Sequence, residues 1–249
     1  MTLNELKLLS SLQHKKFRKE HRCFLVEGFK SVREVLQSNF TVKQIYTTKE
    51  YMVKHTDFLH DACLISEKES ERISSFITTP DIFALVEMKP ETPFPIGQYK
   101  KILLLDGIQN SGNVGTIIRT SDWFGIQCIV CSEDTAELYN PKTIQATMGS
   151  FTRVDVYTAN LHKFIKAHES TYSFIGACMN GKDIRKYSFP DYSAIILGKE
   201  STGISPEIIG LIQQKITVLR GSENQEGKSL PDSLNVSLSA AIICYELMR

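Results

Sequence analysis

The strongest constraint on the fold is a series of short apolar runs separated by helical patterns in the second part of the chain. KILLLD (101–106), QCIVCS (127–132), RVDVYT (153–158), YSFIGACM (172–179), SAIILG (193–198) and KITVLR (215–220) read as strands. Helices are expected between them, near 113–124, 141–149, 160–169 and 205–214, with a last one near 235–248. Continuous rather than alternating apolar strands are covered on both faces. Such strands alternating with helices specify an α/β domain with a parallel sheet.

A linker precedes this region. KPETPFPIG (89–97) places three prolines and a glycine where both periodicities break. It divides the chain into a smaller N-terminal α/β domain, 1–92, and a larger α/β domain, 98–249. In the first, CFLVEG (23–28), VKQIYTT (42–48), ACLIS (62–66) and DIFALVEM (81–88) are strand candidates. FKSVREVLQS (29–38) reads as a helix with Val32, Val35 and Leu36 on one face, and ESERISSF as another. Neither an internal repeat nor a low-complexity segment is present.

Charge excludes two function classes. With 29 Lys+Arg against 28 Asp+Glu the net is +1, so the chain is neither a generally basic, histone-like binder nor an acidic disordered tail. No apolar run precedes the N-terminal Lys/Arg cluster, so no secretory signal is expected. No run is long enough to predict a membrane span. The six cysteines are scattered, mostly in apolar runs, and read as reduced thiols of a cytoplasmic protein. Cys128 and Cys131 form a C-x-x-C, but positions three apart on a strand face opposite sides, so no metal site is expected. Basic residues do concentrate in 1–22: Lys7, Lys15, Lys16, Arg18, Lys19 and Arg22 against Glu5 and Glu20. Two readings stand, a phosphate-contacting arm and a solvated, partly helical terminus.

Three loops carry the candidate chemistry. In LDGIQNSGNVGTIIRTSDWFG (105–125), a buried strand ends at Asp106, a Gly-rich turn follows, and then a helix with Val114, Ile117, Ile118 and Phe124 on its apolar stripe and Arg119 off it. The turn matches neither a dinucleotide fingerprint nor a P-loop. In AIILGKESTGIS (194–205), a strand runs into a Gly-flanked loop holding Glu200, with Ser205 and Pro206 suited to open a helix. In LPDSLNVSLSAAIICYELMR (230–249), Asp232 or Ser233 is expected to cap a helix starting near Leu234. That helix is apolar on most sides and must be buried, in its own domain or against a partner subunit.

Together, in this order and spacing, the loops resemble the signature motifs of the SpoU (TrmH-like) RNA 2′-O-ribose methyltransferases, a branch of the SPOUT class. The first motif is Asn-x-Gly-x-x-x-Arg, here Asn113, Gly115 and Arg119. The second is Leu-Gly-x-Glu-x-x-Gly, here Leu197, Gly198, Glu200 and Gly203. The third is Ser-Leu-Asn-Val-Ser, here Ser233 to Ser237. The likeness covers 101–249; more loosely, the run KKFRKEHRCFLVEGFKSVREVL resembles the substrate-binding domain of larger relatives. It departs at Ser201 and Thr202, at Gln145 where many relatives carry arginine, and in a longer polar stretch at 221–232.

The resemblance implies a trefoil-knotted methyltransferase domain, a homodimer, and transfer of a methyl group from S-adenosylmethionine to a ribose 2′-hydroxyl of rRNA. It implies Arg119 as the central catalytic residue, Asn113 and Glu200 holding Arg119 and the substrate, and Ser233 and Asn235 fixing the pocket. It places Leu197, Gly198, Gly203, Val218 and Leu234 at the cofactor, and Lys15, Lys16, Arg18, Lys19 and Arg22 at RNA. The alternatives are a tRNA methyltransferase of the same fold and a non-catalytic RNA-binding assembly factor.

Overall fold

The computed structural model describes residues 1–55, 59, 61–221 and 233–249. The elements run α1 (Leu3–Ser11), α2 (Lys15–His21), β1 (Cys23–Glu27), α3 (Phe29–Leu36), β2 (Val42–Thr48), α4 (Lys49–Lys54), β3 (Cys63–Ile65), α5 (Glu67–Ile73), β4 (Ile82–Glu87), β5 (Lys101–Leu105), α6 (Ser111–Trp123), β6 (Cys128–Cys131), α7 (Pro141–Thr147), β7 (Asp155–Thr158), α8 (Leu161–His168), β8 (Ser173–Asp183), β9 (Ser193–Leu197), α9 (Pro206–Ile209), β10 (Gln214–Thr217) and α10 (Val236–Met248). They form two compact units, Met1–Glu91 with Glu137–Thr152, and Thr92–Ala136 with Arg153–Arg249.

The first unit is built on a mixed sheet of order β1-β4-β2-β3. β4 pairs antiparallel with β1 and β2, and β3 adds parallel to β2. One core cluster gathers Phe24, Val26, Val32, Val35 and Phe40, and residues from far along the chain, Ile144 and Phe151, complete it. The Tyr139 ring lies 4.5 Å from Phe24, and its hydroxyl accepts the Lys89 N–H at 3.1 Å. Segment 137–152 therefore belongs to this unit because its apolar side chains cover this sheet.

The N-terminal arm is helical, and one of its cations is not on the surface. Arg18 is 2% exposed. Its guanidinium donates to the carbonyls of Leu12 at 2.7 Å and Gln13 at 2.8 Å, and its Nε–H donates to Glu137 Oε1 at 2.8 Å. The end of α1 leaves carbonyls without helical donors, and the five-donor guanidinium fork satisfies them together with a carboxylate. This removes Arg18 from the RNA-contacting set that the sequence suggests. Lys15 is exposed but pairs with Glu137 at 3.4 Å. Lys16, Lys19 and Arg22 lie on the surface.

The second unit carries a six-stranded sheet of order β10-β8-β9-β5-β6-β7. Every neighbouring pair is parallel, as the continuous apolar runs require. β9 is buried at every position and β5 at all but its first. Ile102, Leu104, Cys128, Val130, Ala194 and Ile196 form one face of the core with Phe164, Tyr172 and Ile208. All six cysteines are free, and burial pushes the Cys131 thiol up to about 12. Among the described residues, no group of three or more His, Cys, Asp or Glu is arranged to hold a metal, and no helix is long and apolar enough to cross a membrane.

Two expected elements differ. The helix expected over 205–214 is only Pro206–Ile209, because Gly210 closes it and the chain turns into β10 at Gln214. The last helix is capped by Asn235 rather than Ser233: Asn235 Oδ1 accepts the Ser237 N–H at 2.9 Å. Asp232, and nearly all of the polar stretch 221–232, lie outside the described residues.

Candidate active site

In parallel sheets, loops beyond the carboxyl ends of the strands gather on one edge. That edge receives the loops after β5, β6, β9 and β10. The loop after β5 opens α6 through Asn110, whose Oδ1 accepts the N–H groups of Gly112 at 2.9 Å and Asn113 at 3.2 Å. Val114, Ile117 and Ile118 are fully buried on α6, which leaves Arg119 on the solvent face of the helix.

After β9 the chain makes a tight hairpin. Lys199 and Gly203 exchange backbone hydrogen bonds at 3.0 and 2.8 Å, and Glu200, Ser201 and Thr202 form its exposed tip. Gly203 takes a φ of +72°, which a side chain would resist. Gly198 faces the returning strand so closely that a Cβ there would stand 2.2 Å from the Gly203 carbonyl carbon and the Ile204 nitrogen. The base of the hairpin is tied to β5: Asp106 Oδ2 accepts the Ser205 N–H at 2.6 Å, and the Asp106 N–H donates to the Leu197 carbonyl at 2.8 Å.

Glu200 is the centre of a hydrogen-bonded cluster. Its Oε1 accepts the Asn113 amide at 2.6 Å and the Asn235 amide at 2.8 Å. Asn235 Nδ2 also reaches Asn113 Oδ1 at 3.3 Å. One carboxylate oxygen thus ties together the start of α6, the β9 hairpin and the cap of α10. Such bonds contribute about 0.5–1.5 kcal/mol each, at the lower end where exposed as here. Asn235 serves twice, since its Oδ1 caps α10 while its Nδ2 donates to Glu200.

The structure brings Asn113, Glu200 and Asn235 together and leaves the other expected site residues outside that cluster. Arg119 stands six residues further along α6 than Asn113, about 9 Å along the axis, and makes no hydrogen bond or ion pair with a described residue. Asn113 donates to Glu200 at 2.6 Å, and neither is hydrogen-bonded to Arg119. Ser233 is exposed and caps nothing. Leu197 points into the core, Val218 is half-buried just past β10, and Leu234 is exposed beside Asn235. Sequence reasoning missed the structural parts of Asn110 and Asp106. Asn110 has a local signal, an Asn immediately ahead of a helix; Asp106 acts through Ser205, 99 residues away.

Residues 100–245 match the SpoU rRNA Methylase family. The chain belongs to that family. Residues 4–84 match the MRM3-like substrate binding domain. The 23S rRNA (guanosine(2553)-2′-O)-methyltransferase RlmP of Bacillus subtilis is 30% identical over 240 residues, covering 95% of this chain and 92% of that protein. A TrmH-family structure from Porphyromonas gingivalis superposes with a TM-score of 0.86 at 31% identity, covering 99% of this chain and 98% of its own. The SpoU methyltransferase AviRb of Streptomyces viridochromogenes, solved with AdoMet, shares the fold at a TM-score of 0.84 and 18% identity, over 99% and 97% of the two chains. The hydrogen-bonded Asn113, Glu200 and Asn235 of this SpoU protein come one from each of the three signature motifs.

Proposed function

We propose that this protein is an S-adenosylmethionine-dependent methyltransferase that modifies a ribose 2′-hydroxyl of ribosomal RNA. The observation that carries the reading is the Glu200 junction, which joins all three motif segments at the carboxyl edge of the parallel sheet. The similarity to RlmP, a 23S rRNA enzyme, along nearly its whole length supports rRNA over tRNA. The protein's proposed place of action is the cytoplasm.

The carboxyl edge of the sheet is the proposed site of the cofactor. Leu219 and Leu234, 53% and 45% exposed, offer apolar faces there, and the ends of β9 and β10 offer backbone groups, the combination an adenosine moiety needs. Gly198, Gly203, Val218 and Leu234, with the backbone alone of the core-buried Leu197, are its proposed surroundings. When bound, S-adenosylmethionine supplies a methyl group activated by a sulfonium centre. The protein's part is to hold the RNA hydroxyl in position. Arg119 serves as phosphate clamp and hydroxyl orienter, since a guanidinium keeps its proton and is a poor base. Glu200, Asn113 and Asn235 fix the walls of the site, with Ser233 at its rim.

Residues 1–92 are proposed to recognise RNA, with Lys16, Lys19 and Arg22 as surface contacts and Lys15 beside them. Residues 98–249, apart from the 137–152 segment that completes the first unit, are proposed to form the knotted methyltransferase domain. Homodimerisation through α6 and α10 is supported by exposed apolar side chains on both: Trp123 is 84% exposed, and Leu238, Ile242 and Tyr245 lie open along α10. Isolated apolar residues at a surface mean little, but a set on two packed helices is what the proposed interface would cover.

The test is methyl transfer from labelled S-adenosylmethionine to purified rRNA and tRNA, with the modified nucleotide mapped, alongside calorimetry with the cofactor. The parent protein should methylate rRNA, and Arg119→Ala should abolish transfer while cofactor binding stays nearly intact. Turnover of that variant within tenfold of the parent would remove Arg119 from catalysis. Failure to bind S-adenosylmethionine would favour an assembly factor.

A further inference from the structure

We infer that Lys199 is a positioning residue: its side chain forms a strap over Gly107 to Asp134 that sets the hairpin bearing Glu200. The inference rests on the methyltransferase reading of that site. Lys199 Nζ stands 3.0 Å from Asp134 Oδ2. On the way, the lysine stem crosses the Cα of Gly107 so closely that a Cβ at 107 would lie 2.1 Å from Lys199 Cε and 2.9 Å from its Nζ. The end of β5 therefore presents bare backbone where the strap passes.

Asp134 is a fixed anchor. The Ser132 hydroxyl donates to its Oδ1 at 2.7 Å, and Ser132 Oγ accepts the Gly107 N–H at 2.8 Å. Thr135 Oγ1 lies 2.8 Å from Ser132 Oγ and donates to the Leu105 carbonyl at 2.9 Å. The loop after β6 is thereby locked to the end of β5. The Ser132 hydroxyl, followed by the Lys199 ammonium, holds the Asp134 carboxyl below its usual range.

The consequence lies one residue further on. Glu200 follows Lys199 at the hairpin tip, and the amides of Asn113 and Asn235 meet on it. Without the strap, the hairpin is held at its base by Asp106 and Ser205, while the tip depends on the amides it is supposed to orient. None of the three signature motifs includes the loop after β6, so Asp134 extends the site to a fourth strand end. An isolated exposed ion pair contributes little to stability. Its role here is geometric, because a small displacement of a reacting arrangement is costly in rate.

The experiment pairs Lys199→Met and Asp134→Asn with Gly107→Ala in the full chain. Rates are measured with labelled S-adenosylmethionine and rRNA, and the side-chain amide signals of Asn113 and Asn235 are followed by NMR. Lys199→Met and Asp134→Asn should each lower kcat about tenfold with KM for RNA and cofactor affinity within twofold, and the double variant should be no worse than either single one. Gly107→Ala should cost more in the parent than in the Lys199→Met background, where the colliding stem has lost its anchor. The two amide signals should move in both charge variants. Unmoved amide signals, a kcat within twofold of the parent, or multiplying effects in the double variant would overturn the strap. If the parent methylates no RNA, the enzymatic reading fails, while the amide signals still decide whether the strap positions the junction.

Discussion

Replacing Gly198 by alanine tests how tightly the hairpin must close. The new Cβ would sit 2.2 Å from two backbone atoms of residues 203 and 204 and 2.3 Å from the Gly203 oxygen, against an ordinary contact of at least 3.4 Å. Both partners are main chain, so no flexible side chain can yield; the hairpin must open by about 1.2 Å, the difference of those distances. Carried to the tip, that displacement stretches the Glu200 bonds to Asn113 and Asn235, now 2.6 and 2.8 Å, past about 3.2 Å, the limit of an N–H···O bond. Overpacking of this kind costs about 1–3 kcal/mol, and for a chain of this size each kcal/mol lowers Tm by about 2–4 °C. A displacement near 1 Å lowers a rate by about a hundredfold. The expected result is a variant that folds, melts about 2–12 °C lower and loses about two orders of magnitude in kcat with rRNA. Calorimetry with S-adenosylmethionine separates this from simple loss of cofactor. A Gly198→Ala protein with parental cofactor affinity and a kcat within threefold would show that hairpin closure does not set the site.

Glu200→Gln keeps an oxygen that both asparagine amides can reach but removes the charge, whereas Glu200→Ala removes both; transfer assays should rank parent, then Gln, then Ala, with alanine at least a hundredfold down, and thermal melting should show little loss because the residue is exposed. Trp123 is the single tryptophan and 84% exposed in one chain, so a protein associating through α6 and α10 should show a blue-shifted tryptophan emission that moves red on dilution, and Leu238→Glu with Ile242→Glu should give a monomer in sedimentation; unchanged emission and mass would exclude that interface. Burial lowers the His168 pKa from 6.5 among Phe94 and Phe164. The unfolded chain therefore binds more protons just below 6.5, so stability from this group is complete above that pH and is lost as pH falls towards the folded value. Comparing parent and His168→Phe by thermal melts between pH 7 and 5 should show a smaller acid-side loss in the variant.

Much of the architecture was legible in the chain because it depends on local periodicity. The apolar runs at 101–106, 193–198 and 127–132 could only be strands covered on both faces, and they form the parallel centre of the sheet. The glycines and asparagines of the three loops pointed to a site through their resemblance to a family. Local patterns failed where a distant partner decides. Arg18 looks like a surface cation in its own segment, yet Glu137, 119 residues away, helps draw it inside. Helix α9 stops early because Gly210 and the demands of β10 outweigh its apolar pattern.

The amino-acid sequence by itself determined the strands, most of the helices and the residue types at the site, since each follows from neighbours a few positions apart. Tertiary structure alone decided that Asn113, Glu200 and Asn235 share one hydrogen-bonded point, spanning 87 and 35 residues of chain, and that Lys199 crosses Gly107 to Asp134. The physical reason is that a hydrogen bond or an ion pair acts over about 3 Å, and only folding brings side chains so distant in sequence within that reach.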